Sequence, residues 1–435
     1  MPSFSIPLSG LTASQQALSV VANNLSNINT VGYKDEQTNF KDLFYQTLGT
    51  NGAGDALEVG AGSAVGSVSG NFTPGNVQST GVPTDVAING NGFFVTQLNG
   101  DTKYTRAGNL TVSSDGFLTT QDGQYVMGYP ATNGTIATGT LSQLQVGTGT
   151  VISASATTSF QMNTNLNANA AVGSQYSTPP MTVYDSLGTA HQLTFNFTKT
   201  AANSWNYTVT IPDTDLSVDP ATGNPVTPTT PSSQLTVTSG TMAFDSNGVL
   251  STVNGTPVNS GGTTSPNITS LTLSNLTDGA ATMAMNWMAL SPSSGSLITQ
   301  TSSDSATSAS SQNGFSSGSL NSFAIRPDGT IEGAYSNGQS LALGQIVLAQ
   351  FGNQNGLARV GSNSFESTVA SGQAVIGIPG TGGLGSLTGG ALEQSNVDMA
   401  TEFSQMIVNQ RGFEANAKVI TAFDQITQDT INIQR

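Results

Sequence analysis

The chain has 435 residues, enough for two or three domains with cores of their own, and a net charge of −15 although only 8% of its residues are charged. Ten Lys and Arg against 25 Asp and Glu leave no basic stripe for nucleic acid, and the absence of cysteine excludes disulfides, thiolate metal sites and cysteine nucleophiles. No run approaches the roughly eighteen apolar residues of a membrane span, and no basic residue precedes Lys34 to start a cleavable signal peptide, so membrane insertion is not expected.

At the front, Leu11, Leu18, Val21, Leu25 and Ile28 recur on three- and four-residue steps, broken only at Ser14. That spacing predicts an amphipathic helix over residues 8–28, with Asn23 and Asn24 on other faces and Gly32 as its stop. Residues 31–74 read as a linker or irregular hairpin: a short apolar patch at Phe40 to Tyr45, then a Gly-rich stretch. Its Gly60-Ala61-Gly62 lacks the Lys and the strand-to-helix setting of a phosphate loop.

From residue 75 strand signals are dense. Val86-Ala87-Ile88, Phe93-Phe94-Val95, Leu110-Thr111-Val112 and Tyr125-Val126-Met127 are separated by Asn-Gly and Asp-Gly pairs, which supply the positive φ of tight hairpin turns. Residues 151–318 differ in composition: Lys199 is the only basic residue against seven Asp, there is no Glu, and Thr and Ser dominate. Alternation in Leu193-Thr194-Phe195-Asn196-Phe197 and Tyr207-Thr208-Val209-Thr210-Ile211 predicts strands, and the low-complexity runs 254–266 and 302–313 read as surface loops. Strands then return at Ser322 to Ile325 and Leu343 to Phe351.

At the back, Met399, Phe403, Met406, Phe413 and Ile420, with Phe423 after a one-position drift, predict a second helix of about 40 residues, roughly 60 Å long. Ser395 is its expected N-cap, with Asp398 placed to favour the first turn. The fold class is therefore mainly β with terminal α-helices, the two ends forming a coiled-coil-like pair. The expected organisation is nested: residues 1–30 and 391–435 helical, 75–150 with 319–390 one discontinuous inner β domain, and 151–318 an outer β domain inserted into it. Either the helices fold only against each other, or their apolar stripes stay empty until copies assemble, each buried side chain then returning about 1.5–3 kcal/mol. In the second case the ends would be disordered in the monomer and ordered in the polymer.

Ser9-Gly10-Leu11-Thr12-Ala13, Asn23-Asn24-Leu25-Ser26-Asn27 and Thr30-Val31-Gly32-Tyr33-Lys34 resemble the N-terminal signature of bacterial flagellar axial proteins of the rod and hook. Thr84 to Val95, containing Asn89, Gly90, Gly92 and Phe93, with Tyr104-Thr105-Arg106-Ala107-Gly108-Asn109, resembles their shared β domain. Leu392-Glu393-Gln394-Ser395-Asn396-Val397-Asp398 and Glu402-Phe403 through Gln410-Arg411, then Ala415-Asn416, resemble their C-terminal pattern. The long middle segment, with Pro180-Met181-Thr182-Val183-Tyr184-Asp185-Ser186-Leu187-Gly188, resembles the outer domain of hook proteins, which the shorter rod proteins lack. The resemblance implies a subunit exported by the flagellar type III apparatus without a cleaved signal and added beneath a hook cap protein. It would form an extracellular curved homopolymer between the distal rod protein and the hook–filament junction protein. A distal-rod protein with an unusual insertion is the near alternative, and a secreted β-rich adhesin or glycan-binding protein the distant one.

Enzyme readings find little support. His191 stands at a strand start without a second His or a Cys, and is expected to be a surface or hydrogen-bonded strand histidine rather than a metal ligand. Asp213-Thr214-Asp215 with Asp219 lacks the Gly and terminal Glu of a calcium loop. No catalytic, metal or cofactor residue is assigned. Arg411 and Glu414 are candidates for ion pairs between subunits, and Glu393 is expected to serve the dipole of the last helix.

Overall fold

A computed structural model describes residues 4–50, 56–132, 134–147, 150–258, 267–288, 290–291 and 295–433. Parts of the Gly-rich stretch (51–55) and of the loop 254–266 (259–266) lie outside the described residues. The chain divides into two compact units, Met1–Thr148 with Asn321–Ala334 and Ser340–Arg435, and Gly149–Leu320 with Tyr335–Gln339.

In the first unit, α1 (Ser5–Ser26) and α2 (Met399–Ile433) pair with each other. Each helix offers the other part of its apolar face. The segment read as a linker or irregular hairpin contains two strand pairs, Glu36–Asp42 against Ser63–Gly70 and Gln46–Thr50 against Ala56–Val59. Between them the apolar patch stays open to solvent, Phe44 being 96% exposed.

The β body of this unit is built on Phe93–Leu98, which pairs with Asp101–Thr105, Tyr125–Thr132 and Leu348–Gln350, all antiparallel. Successive strand residues point to opposite faces, so a strand buried on both sides reads as a continuous apolar run. Phe94 and Leu348 enter a core with Val86, Ile88, Leu118, Val126 and Ile346. Phe93, Val95, Val347 and Ala349 enter a second one with Tyr104, Phe351 and Phe365. The two-residue link Asn99-Gly100 has φ of +53° and +95°, the pattern of a type I′ hairpin.

The second unit has a seven-stranded and a five-stranded sheet. Ala190–Ala201, Ser204–Pro212 and Gln234–Phe244 form the antiparallel centre of the larger. In the smaller, Ser159–Asn167 runs parallel to Met283–Met288 and Ile298–Thr301 and antiparallel to Ala306–Gln312. Leu193, Phe195, Phe197, Tyr207, Val209 and Ile211, the apolar members of the alternating runs, all point inward. There they surround Trp287, whose ring lies 4.9 Å from Phe195 and 5.4 Å from Tyr207. Polar in composition, this unit nonetheless has a large apolar core.

Candidate assembly interface

The helices run antiparallel. Phe4 meets Phe423 edge to face with centroids 6.0 Å apart, and further along Asn24 Nδ2 donates to Glu402 Oε1 at 3.0 Å. Between these points small residues set the spacing: a Cβ on Gly10 would lie 2.7 Å from Asn416 Nδ2, and one on Gly412 would lie 3.4 Å from the Ser14 hydroxyl. The buried line of α1 is accordingly Ala13, Ala17, Val21 and Asn24. Of the expected seam, Val21 is buried, Leu11, Leu18 and Leu25 lie half-buried on its flanks, and Ile28 falls beyond the helix end at Ser26. On α2, Met406, Phe413, Ile420 and Phe423 are half-buried, whereas Met399 and Phe403 are exposed.

Much of α2 is left without a partner. Met399, Phe403 and Ile407 lie four residues apart on one exposed face, while Val408, Val419 and Ile426 share another. Gln410, Arg411 and Glu414 are exposed beside them.

Two buried polar knots fix the ends to the β body. In the first, Glu393 accepts from Lys34 Nζ at 2.6 Å and from Arg106 Nη1 at 3.2 Å, and all three side chains are fully buried. The Gly75 N–H donates to the same carboxylate at 2.9 Å, Lys34 also donates to Thr73 O at 2.7 Å, and Arg106 donates to Gly90 O at 2.8 Å and lies over the Phe93 ring. Burial lowers the pKa of the Lys34 ammonium, with Glu393 opposing the shift; it does the same to the Arg106 guanidinium. Glu393 is therefore a buried counter-ion and not a helix-dipole group; sequence reading missed this because its partners lie 359 and 287 positions away. Gly32 makes the approach possible: its N–H donates to Glu393 O at 2.8 Å, its φ is +66°, and a Cβ there would come within 2.6 Å of the Arg106 carbonyl.

The second knot centres on Asn24. Besides Glu402, its amide donates to Glu36 O at 2.8 Å, and its oxygen accepts from Glu36 N at 3.0 Å and from the Tyr33 hydroxyl at 3.2 Å. Asn23 adds a bond to that hydroxyl at 3.1 Å. Burial, with Glu36 nearby, pushes the Tyr33 phenol up to about 12, and burial likewise raises the Glu402 carboxyl against the bond from Asn24. At the start of α2, Asp398 and not Ser395 is the N-cap: its Oδ1 accepts from Thr401 N at 2.8 Å, which lowers its pKa. Asn396 is spent elsewhere, accepting from Asp35 N and donating to Asn71 O, both at 2.8 Å. In the β body, Asn89 pairs with Ser386, and Gly92 lies against Leu348 and Leu384.

His191, expected at the surface or hydrogen-bonded on its strand, is buried on Ala190–Ala201 between Asp185 and Asp215. Asp213 accepts from Thr229 and Ser233 whereas Asp215 faces His191, so these two carboxylates of the calcium-like run have different partners. Among the described residues no helix is long and apolar enough to cross a membrane.

Four segments match known families: residues 6–34 the flagella basal body rod protein, 87–165 the flagellar hook protein FlgE/F/G D1 domain, 158–315 the flagellar basal body protein FlaE D2 domain, and 388–433 the flagellar basal body rod FlgEFG protein C-terminal region. The chain is 37% identical to the flagellar hook protein FlgE of Salmonella typhimurium, over 99% of this chain and 100% of that protein. It is 34% identical to the FlgE of Escherichia coli K12 over the same shares, and 32% identical to that of Borreliella burgdorferi over 98% of each. The crystal structure of Helicobacter pylori flagellar hook protein FlgE2 superposes with a TM-score of 0.53 at 16% identity, covering 74% of this chain and 100% of that one, a likeness of fold. With end-to-end identity at this level, the chain belongs to the FlgE family of flagellar hook proteins, as a structural, non-enzymatic subunit of the bacterial flagellar hook.

Proposed function

We propose that copies of the chain polymerise into a curved helical tube that acts as a universal joint between motor and filament. In this reading residues 1–30 and 391–435 form an inner tube, 31–74 join it to the shell, 75–150 with 319–390 form that shell, and 151–318 form the outermost layer. The observation that carries it is the exposed apolar surface of α2 beyond the face that α1 covers. Covering a half-exposed Ile, Val, Met or Phe returns about 1 kcal/mol, so Met399, Phe403, Ile407, Val419 and Ile426 together contribute roughly 5 kcal/mol per subunit. Contacts between copies extend the interface residues named above, with Arg411 and Glu414 as ion-pairing groups at its rim.

Bending requires neighbouring subunits to slide. The sparsely charged, Thr- and Ser-rich composition of the middle segment supports this, since wet polar contacts exchange more readily than dry apolar ones. The tube begins on the distal rod protein, grows beneath the hook cap protein and ends at the hook–filament junction protein, outside the cell. Its subunits arrive through the flagellar type III export apparatus.

The test is electron microscopy of the purified chain after salt-induced polymerisation, beside a version lacking residues 1–30 and 396–435. Curved tubes from the full chain and none from the truncated one are expected. Straight tubes would favour a rod subunit, and a full chain that stays monomeric would overturn the reading.

A further inference from the structure

The second unit holds a cluster of ionisable side chains around His191. His191 Nε2 lies 3.3 Å from Asp185 Oδ2, its Nδ1 lies 3.1 Å from Asp215 Oδ2, and ligand atoms of Asp185, His191 and Asp278 all fall within 4.8 Å of one another. We propose that Asp185, His191 and Asp278 bind a divalent transition-metal ion of the zinc type through Nε2 and one oxygen of each carboxylate.

Geometry supports this first. Ligand atoms about 2.0–2.1 Å from a tetrahedral ion stand roughly 3.3 Å apart, the separation already present between His191 and Asp185. Asp278 is held beside them by hydrogen bonds to Asp185 and Thr189, and being exposed it leaves the site open to solvent.

The orientation of the ligands is a second, independent observation. A metal-bound imidazole characteristically donates its other N–H to a carboxylate, and Asp215 stands at Nδ1 in that place. Asp185 is aimed by its far oxygen, which accepts from Leu187 N at 2.8 Å and Thr189 N at 2.9 Å; Asp278 Oδ1 accepts from Ala280 N at 3.0 Å. These bonds leave Asp185 Oδ2 turned toward the imidazole.

Charge is the third. Three carboxylates converge on one imidazole, and among the described residues Asp185 and Asp215 have no ion-pair partner but His191. Lys199, the only Lys or Arg between residues 149 and 320, donates instead to Ala168 O. A mixed imidazole and carboxylate set suits zinc or manganese, whereas calcium and magnesium take oxygen alone. On binding, the ion takes the place of any proton on Nε2, which leaves to solvent. It would tie the Asp185 turn and the Asp278 turn to the start of the long strand.

The test uses the full chain stripped with chelator and titrated calorimetrically with zinc chloride, beside Asp278→Asn and His191→Gln. Because Asp278 is exposed, its variant is expected to fold, and the Asn oxygen can keep the bond to Ala280. One zinc per chain is expected, weakened at least tenfold in D278N and lost in H191Q, with the tryptophan-monitored unfolding midpoint raised by zinc in the parent only. No zinc heat, or the same affinity in parent and D278N, would overturn the proposal. Equal binding of magnesium would also count against it.

Discussion

Replacing Glu393 by Gln removes the anion that both Lys34 and Arg106 face, and leaves two buried cations side by side. Stranding a buried charge costs about 3–5 kcal/mol. For a unit of this size each kcal/mol moves the melting midpoint by about 2–4 °C, so E393Q is expected to lower it by on the order of 10 °C. Two probes separate the units. Among the described residues the only α-helices, α1 and α2, lie in the first unit, whereas Trp205 and Trp287, the two tryptophans of the chain, lie in the second. Helical circular dichroism should therefore shift, while tryptophan fluorescence should move by less than about 2 °C, well short of the helical shift. Lys34→Met leaves a matched Arg106–Glu393 pair and is expected to cost less, about 1–2 kcal/mol. An E393Q midpoint within about 2 °C of the parent, or a K34M chain less stable than E393Q, would refute this account of the knot.

Glu402 and Asp35 both have carboxyls raised by burial, so their contribution to stability is full below the ordinary carboxylate range and is lost as pH rises through their folded values. The helix pair should loosen as pH climbs from about 4.5, and Glu402→Gln should flatten that slope in hydrogen exchange of α1. Gly32→Ala must accommodate both a positive φ and contact with the Arg106 carbonyl; a loss of about 3 kcal/mol or more is expected in denaturant titration. Ile426→Asp changes a side chain that is 52% exposed, so monomer stability should stay within about 0.5 kcal/mol while sedimentation shows polymerisation lost.

Much of the fold could be read in the chain because its periods are clean. Leu193, Phe195 and Phe197 alternate because one face of their strand is buried. Phe93-Phe94-Val95 is continuous because both faces are. The helices were equally plain in the spacing, but their packing was not. Close approach at Gly10 and Gly412 selects small residues for the contact, so Ala13 and Ala17 are buried and the leucines flank them. The cap of α2 could not be assigned from residue type, since Ser395 and Asp398 both suit it. The bonds of Asn396 to Asp35 and Asn71 decide it by holding the chain outside the helix until Asp398. Least readable were the knots, whose members are motif residues with no local signal that they meet: Lys34 and Arg106 at Glu393, and Asn24 at Glu402.

Assembly through α2 can be probed directly because the chain has no cysteine of its own. A single cysteine at Ile426, exposed in the monomer, would be labelled with a maleimide before and after polymerisation. The account predicts rapid labelling of the monomer and protection in the tube, with a cysteine at the exposed Val369 reacting alike in both. Equal labelling at position 426 in monomer and tube would contradict it.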